Sequence, residues 1–179
     1  MSKNHYDYII CGGGASGLLL AYRICNDPYF KDRSILLIEK DFKNTNDRTW
    51  CFWESGIGDL EELVHKNWDQ ANFSAEDFKL DFSLQPFHYK MIRSLDFYQS
   101  MNNKLAKFDQ LTQIKEKVKS VENNLVTTEI KSYHGGMIFS SIYNTNSLTL
   151  QKKYPVLLQH FIGQVVQTQK PCFDPNKIE

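Results

Sequence analysis

The 179-residue chain is 41% hydrophobic and 23% charged, the balance of a globular protein of one domain or slightly more. Lys and Arg total 21 against 21 Asp and Glu, with no dense basic run, so the charge pattern offers no footprint for nucleic acid. The cysteines Cys11, Cys25, Cys51 and Cys172 form neither a metal pattern nor a disulfide framework, which fits a reduced, cytosolic setting, and no apolar stretch nears the roughly 20 residues of a membrane-spanning helix.

The first predicted element is a buried strand, Tyr6 to Cys11, which runs straight into glycines rather than toward a signal-peptide cleavage site. A helix follows from Ala15 to Asn26, stopped by Pro28, and then a second apolar strand from Ser34 to Glu39. After a polar stretch comes an aromatic segment, Trp50 to Glu54. A short helical patch is expected at Leu60 to Val64. Strands are expected at Trp68 to Phe73, Phe78 to Phe82 and His88 to Ile92. Ser94 is a good N-cap for a helix reaching about Lys107. Strand Leu111 to Ile114, a hairpin of Val118 to Glu122 with Leu125 to Ile130 around Asn123-Asn124, and strand Gly136 to Ile142 complete the middle. Val156 to Thr168 reads as a long β segment, and Pro171 to Glu179 as a polar tail. The order β-α-β, a β-rich insertion, α-β and a meander predicts an α/β fold with insertions.

Gly12-Gly13-Gly14-Ala15-Ser16-Gly17 fits G-x-G-x-x-G between a strand and a helix. In that setting Gly12 permits the tight turn, Gly14 lets backbone approach a pyrophosphate, and Gly17 lets the helix pack close to the strand. The helix N-terminus, with Ala15 and Ser16, offers N–H groups to phosphate. Glu39 ends the second strand about twenty residues past Gly17, where an acid bonds the adenosine ribose. Such an acid repels a 2′-phosphate, so FAD or NAD suits the site better than NADP.

In the aromatic segment, Trp50, Phe52 and Glu54 would point one way and Cys51 and Trp53 the other if extended. Core packing and ligand contact are equally compatible with it. Arg48, just before it, suits phosphate or a carboxylate. The histidines His5, His65, His88, His134 and His160 share no catalytic or metal spacing, and Cys51 has no neighbouring base.

Asp7 to Gly17, Ile38-Glu39-Lys40, Asn46 to Trp53, Tyr154 to Gly163 and Lys170 to Pro175 together resemble bacterial lycopene β-cyclases. Two positions depart from the pattern: Gln164 stands where the family has Trp, and Gln169 where it has Glu. The resemblance implies an FAD/NAD(P)-binding, Rossmann-like domain of the glutathione-reductase type with the start of an inserted β-rich substrate domain. Residues 1–179 would be a truncated FAD-binding domain, and residues 65–92 and 151–170 parts of the substrate-binding sheet. It implies FAD, kept reduced by NAD(P)H, held by Gly12, Gly14, Ala15, Ser16, Gly17, Glu39, Lys40 and Arg48. Lycopene would lie near Trp50, Phe52 and Trp53, and its ψ-ends would close to β-ionone rings by protonation without net redox change. The implied setting is the cytoplasm, with peripheral contact at the inner face of the membrane. Because family members are about twice as long, the catalytic acid is expected outside these residues, and the 179-residue chain alone is expected not to cyclise lycopene. Two other readings remain: another FAD-dependent oxidoreductase of this fold, such as a monooxygenase or a geranylgeranyl-type reductase, or a non-catalytic nucleotide-binding remnant.

Overall fold

The computed structural model describes residues 4–143, 157 and 166–179. They divide into two compact units: residues 1–45 with 95–145, and residues 46–94 with 146–179.

The first unit begins with β1 (His5–Cys11), α1 (Ala15–Asn26) and β2 (Ile35–Glu39). Ile35, Leu36, Leu37 and Ile38 are all 0% exposed, so both faces of β2 are covered, as in a parallel sheet flanked on each side. Helix α1 buries Gly17, Leu18, Ala21, Ile24 and Cys25 along one stripe. It stops at Asp27, whose side chain turns away from the helix to accept the Tyr29 N–H at 2.9 Å.

The second unit contributes β3 (Thr49–Glu54), β4 (Val64–Trp68), β5 (Gln70–Ala75), β6 (Phe78–Ser83) and β7 (His88–Arg93). The chain then forms α2 (Ser94–Leu105), β8 (Leu111–Lys115), β9 (Val118–Glu122), β10 (Leu125–Thr128) and β11 (Ser132–Ser140), and ends with β12 (Lys177–Ile178). The second unit thus interrupts the crossover from β2 to β8, its parallel neighbour.

In the first unit six strands are ordered β8-β2-β1-β11-β10-β9. The first four are mutually parallel, and β10 and β9 run antiparallel. β8 and β9 lie at opposite ends of that order, yet only Glu116 and Lys117 separate them in sequence. A flat sheet would put its edge strands about 24 Å apart at ~4.8 Å per strand, whereas two linking residues reach only about 11 Å. The sheet must therefore fold over, and β11 is the strand that turns the corner. Its first residues pair with β10, and its run from His134 to Ser140 pairs with β1. Between the two layers sit Ile9, Cys11, Leu36, Ile38, Val126 and Tyr133. Asn123 takes φ 48° at the β9–β10 turn, which asparagine tolerates better than most residues.

The second unit holds two three-stranded sheets, β3-β7-β4 and β12-β5-β6. Residues 65–92 therefore contribute to two sheets rather than one. The expected strand Trp68 to Phe73 is broken at Asp69, whose carbonyl accepts the Leu84 N–H at 2.8 Å. The polar tail is not structureless: Lys177 and Ile178 pair in parallel with Gln70 and Ala71. Strand β11 starts four residues before the expected Gly136, at Ser132. Most of the expected strand Val156 to Thr168, and of the segment 151–170, lies outside the described residues. Lys90, 1% exposed, anchors the β3-β7-β4 sheet: its Nζ donates to Glu54 Oε2 at 3.0 Å, to the Gly56 carbonyl at 2.6 Å and to Glu61 Oε2 at 2.5 Å.

Candidate nucleotide-binding site

The C-terminal ends of the four parallel strands converge on one cavity of about 410 Å³. Gly12 and Gly14 follow β1, Glu39 and Lys40 close β2, Glu116 and Lys117 follow β8, and Ser141 follows β11. Ile38, Lys43, Val118 and Ile142 complete the lining. Open α/β sheets bind their ligands in this place, outside the carboxyl ends of the strands.

The glycine loop is shaped by close approach. Gly12 has φ +109°, a left-handed conformation, and donates its N–H to the Ile38 carbonyl at 2.8 Å. A Cβ on Gly17 would overlap the Gly12 carbonyl oxygen, whereas one on Gly14 would meet nothing within 4 Å. Gly17 is thus needed to seat the helix, and Gly14 faces open space where a ligand's phosphates have room. No side chain caps α1 and no acid occupies its first turn, so Ala15 and Ser16 open the helix with its N–H groups uncompensated by carboxylate.

Glu39 is fixed rather than loose. Its Oε2 accepts the Gly13 N–H at 2.6 Å and its Oε1 accepts the Asp41 N–H at 3.1 Å. The variable position of the motif is itself constrained, since a Cβ on Gly13 would lie 2.9 Å from the Glu39 Cβ. Sequence reasoning missed this pairing; the signal was present in three consecutive glycines where the motif asks for two. Lys40 is exposed at the cavity mouth. Beside it Asp41 pairs with Lys115 at 2.7 Å, and this contact holds the Asp41 carboxyl below its usual range.

Sequence reasoning also missed Glu116, Lys117, Val118 and Ser141. Glu116 Oε1 accepts from the Tyr133 hydroxyl at 2.8 Å and Oε2 from the Thr128 hydroxyl at 2.6 Å. Burial, and then this contact with Glu116, pushes the Tyr133 phenol up. Burial likewise pushes the Cys11 and Cys25 thiols up to about 11, which makes them inert packing residues.

Arg48 and the aromatic segment belong to the second unit. Arg48 is exposed, and its backbone pairs both ways with Ser94: its N–H donates to the Ser94 hydroxyl at 3.0 Å and its carbonyl accepts the Ser94 N–H at 3.0 Å. Trp50 and Phe52 share one face of β3, and Trp53, 57% exposed, stands on the other. In register with Trp53 are Tyr89 and then Trp68, with ring centroids 4.7 and 6.2 Å apart. The three substrate-pocket candidates therefore do not form one surface. Trp53 joins an aromatic row that includes two rings sequence reasoning had not singled out. Cys51 lies on that row's face and bonds the Tyr89 hydroxyl; this contact, after burial, raises the Tyr89 phenol. Among the described residues no His, Cys, Asp and Glu cluster is arranged to hold a metal. His5 and His134 stack on each other at 4.9 Å.

Residues 7–179 match the family model described as lycopene cyclase protein. The chain belongs to the lycopene cyclase family. No curated protein matches it. Among solved structures it is similar to PqsL, a probable FAD-dependent monooxygenase from Pseudomonas aeruginosa, with TM-score 0.60 at 13% identity over 75% of this chain and 42% of that one. It is similar also to 2-methyl-3-hydroxypyridine-5-carboxylic acid oxygenase, with TM-score 0.57 at 11% identity over 76% of this chain and 39% of that one. The flavin-dependent brominase Bmp2 matches with TM-score 0.51 at 17% identity, over 80% and 39% of the two chains. These likenesses show the fold: α/β and Rossmann-like, as the sequence predicts. The chain spans about two fifths of the length of the structures it matches.

Proposed function

We propose that this chain forms the nucleotide-binding part of an FAD-dependent lycopene β-cyclase. The observation that carries the reading is the family match over residues 7–179, joined to a glycine loop and Glu39 that frame one cavity at the strand ends. Gly12, Gly14, Ala15, Ser16 and Gly17 would hold the pyrophosphate, and Glu39 the adenosine ribose, with Lys40 at the mouth. Arg48 would serve phosphate or carboxylate. Reduced flavin, replenished by NAD(P)H, would supply electron density beside a carbocation on the substrate. The chain's own aromatic residues would stabilise that cation through their ring faces. Of the three aromatic candidates, Trp53 has its ring open to solvent and packs against Tyr89, while Trp50 and Phe52 are half-buried.

Lycopene is a long hydrocarbon, and no helix among the described residues is long and apolar enough to cross a membrane. Access to the substrate would then be peripheral, from the cytoplasmic face. The exposed rings of Phe73, Phe78 and Phe82 on the β5–β6 hairpin support that reading.

In a lycopene-accumulating bacterium that has no other cyclase, residues 1–179 expressed alone should yield no β-carotene, whereas a protein of the family's length that carries them should yield γ- and β-carotene. Gly14→Val should abolish the product and lower FAD uptake, since the side chain would fill the space left for phosphate. Normal FAD retention by that variant would remove the site assignment. An oxygenated product in place of a ring would favour the monooxygenase reading, which the likeness to PqsL supports.

A further inference from the structure

The cavity owes one wall to a polar knot with no part in the glycine motif. Residues 116 and 117 carry the chain from β8 to β9, where the folded-over sheet closes. The Glu116 N–H donates to the Glu39 carbonyl at 3.0 Å, so this link is tied to the end of β2. Its carboxylate is tied to the other layer: Oε1 to the hydroxyl of Tyr133 on β11, and Oε2 to that of Thr128 on β10. Both hydroxyl residues are buried, with 2% and 3% exposure. The Lys117 carbonyl accepts the Glu129 N–H at 3.0 Å, which closes the knot.

We propose that Glu116 is the positioning residue of the nucleotide cavity: it clamps the β9–β11 layer to β2 and so sets the Lys117–Val118 wall opposite the glycine loop. This rests on the nucleotide-binding reading of the same cavity. Each Glu116 oxygen already has a buried donor, so the carboxylate is committed to holding the wall. Glu39 holds one backbone donor on each oxygen, the Gly13 N–H on Oε2 and the exposed Asp41 N–H on Oε1, and its remaining lone pairs are left as acceptors for ligand hydroxyls. Removing the Glu116 carboxylate would leave the buried Tyr133 hydroxyl without its partner, turn the Thr128 hydroxyl to the Lys131 carbonyl 2.9 Å away, and release the wall.

The test is titration of the purified chain and its variants with ADP by calorimetry, with thermal unfolding measured beside it. Glu116→Ala should weaken ADP about tenfold and Tyr133→Phe about threefold. Glu116→Gln keeps an acceptor for Tyr133, and the Thr128 hydroxyl can donate to the Lys131 carbonyl at 2.9 Å instead, so it should stay within about twofold of the parent. Met101→Ala empties a buried site on α2 that does not line the cavity. It should lower the unfolding temperature at least as much while leaving ADP affinity within about twofold. ADP affinity unchanged in Glu116→Ala, or equally weakened by Met101→Ala, overturns the proposal. Should Glu116→Ala fail to fold, unchanged affinity in Tyr133→Phe overturns it instead. A parent chain that does not bind ADP at all overturns the nucleotide-binding reading, and this inference with it.

Discussion

In the first unit β2 sets four consecutive apolar residues at zero exposure, while in the second β6 leaves Phe78, Leu80 and Phe82 at 52, 48 and 44%. The sequences explain the contrast. Ile-Leu-Leu-Ile is apolar at every position, so it requires cover on both faces and has it from α1 and the folded-over meander. Phe-Lys-Leu-Asp-Phe-Ser alternates, so it needs one covered face, and the described residues leave that face largely open. The first unit therefore has its rigidity within itself and can hold a shaped cavity at its strand ends. Among the described residues of the second unit, a buried polar cluster centres on Lys90.

The sharpest test of that contrast is Gly17→Val. The added side chain would run into the Gly12 carbonyl oxygen, which is backbone and cannot move aside. Valine improves helix propensity over glycine by only about 0.5 kcal/mol, whereas the overlap should cost about 3 kcal/mol. Chemical denaturation should show that loss, with ADP binding gone. A variant as stable as the parent would mean that α1 is not seated on the loop as described.

Lys90→Ala is next. It strands Glu54 and Glu61, whose side chains are 31% and 36% exposed, so water takes over part of what the lysine provided. A loss of about 2 kcal/mol is expected, below the full value for a dry pair. Amide exchange should quicken in β3, β4 and β7 and stay slow in β1 and β2. Equal quickening in both units would break the comparison, because it would show that they open together. The Glu61 contact, ahead of Glu54, holds the Lys90 ammonium above its usual range. Its contribution is therefore full below the ordinary lysine range and fades as pH climbs through the raised value.

Much of the first unit was legible in sequence because its signals are local. Helix α1 begins just after Gly14 and ends before Pro28, and the Asn123-Asn124 turn forms as expected. Two kinds of feature escaped. One is pairing across long separations: nothing near Lys177 marks it as a partner for Gln70, and nothing at Asp69 announces that its carbonyl will take the Leu84 N–H. The other is the cavity wall. Glu116 reads in sequence as one more charge in a Lys-Glu-Lys run, and only the closing of the sheet brings Thr128 and Tyr133 to its two oxygens. The glycine loop and its acid were visible because strand, turn, helix and acid are consecutive. The wall opposite was not, because it exists only once β9, β10 and β11 fold back on one another and Glu116 meets the end of β2.

The smallest expected effect lies at the other end of β1, far from the cavity. Asp7 Oδ2 accepts both the N–H and the hydroxyl of Ser34, each at 2.8 Å, and the Ser34 oxygen accepts the Asp7 N–H at 3.1 Å. This loop ties the start of β1 to the residue before β2, and Arg33 adds a surface contact at 3.3 Å. The Ser34 N–H, ahead of its hydroxyl and of Arg33, holds the Asp7 carboxyl below 3.8. Asp7→Asn keeps a carbonyl acceptor but loses the charge that strengthens these bonds, so about 1 kcal/mol of stability should go at neutral pH. The sign of the pH dependence follows from the lowered value. The folded carboxyl gives up its proton more readily than the unfolded one, so its stabilisation is complete above the ordinary carboxylate range. It is lost as pH falls through the depressed folded value. Denaturation midpoints of parent and variant, measured from pH 7 downward, should keep a constant gap to about pH 5 and converge only as pH falls below the ordinary aspartate range. A gap that closes near pH 6 would assign the effect to another group, and one that persists to pH 2 would show that charge has no part in it.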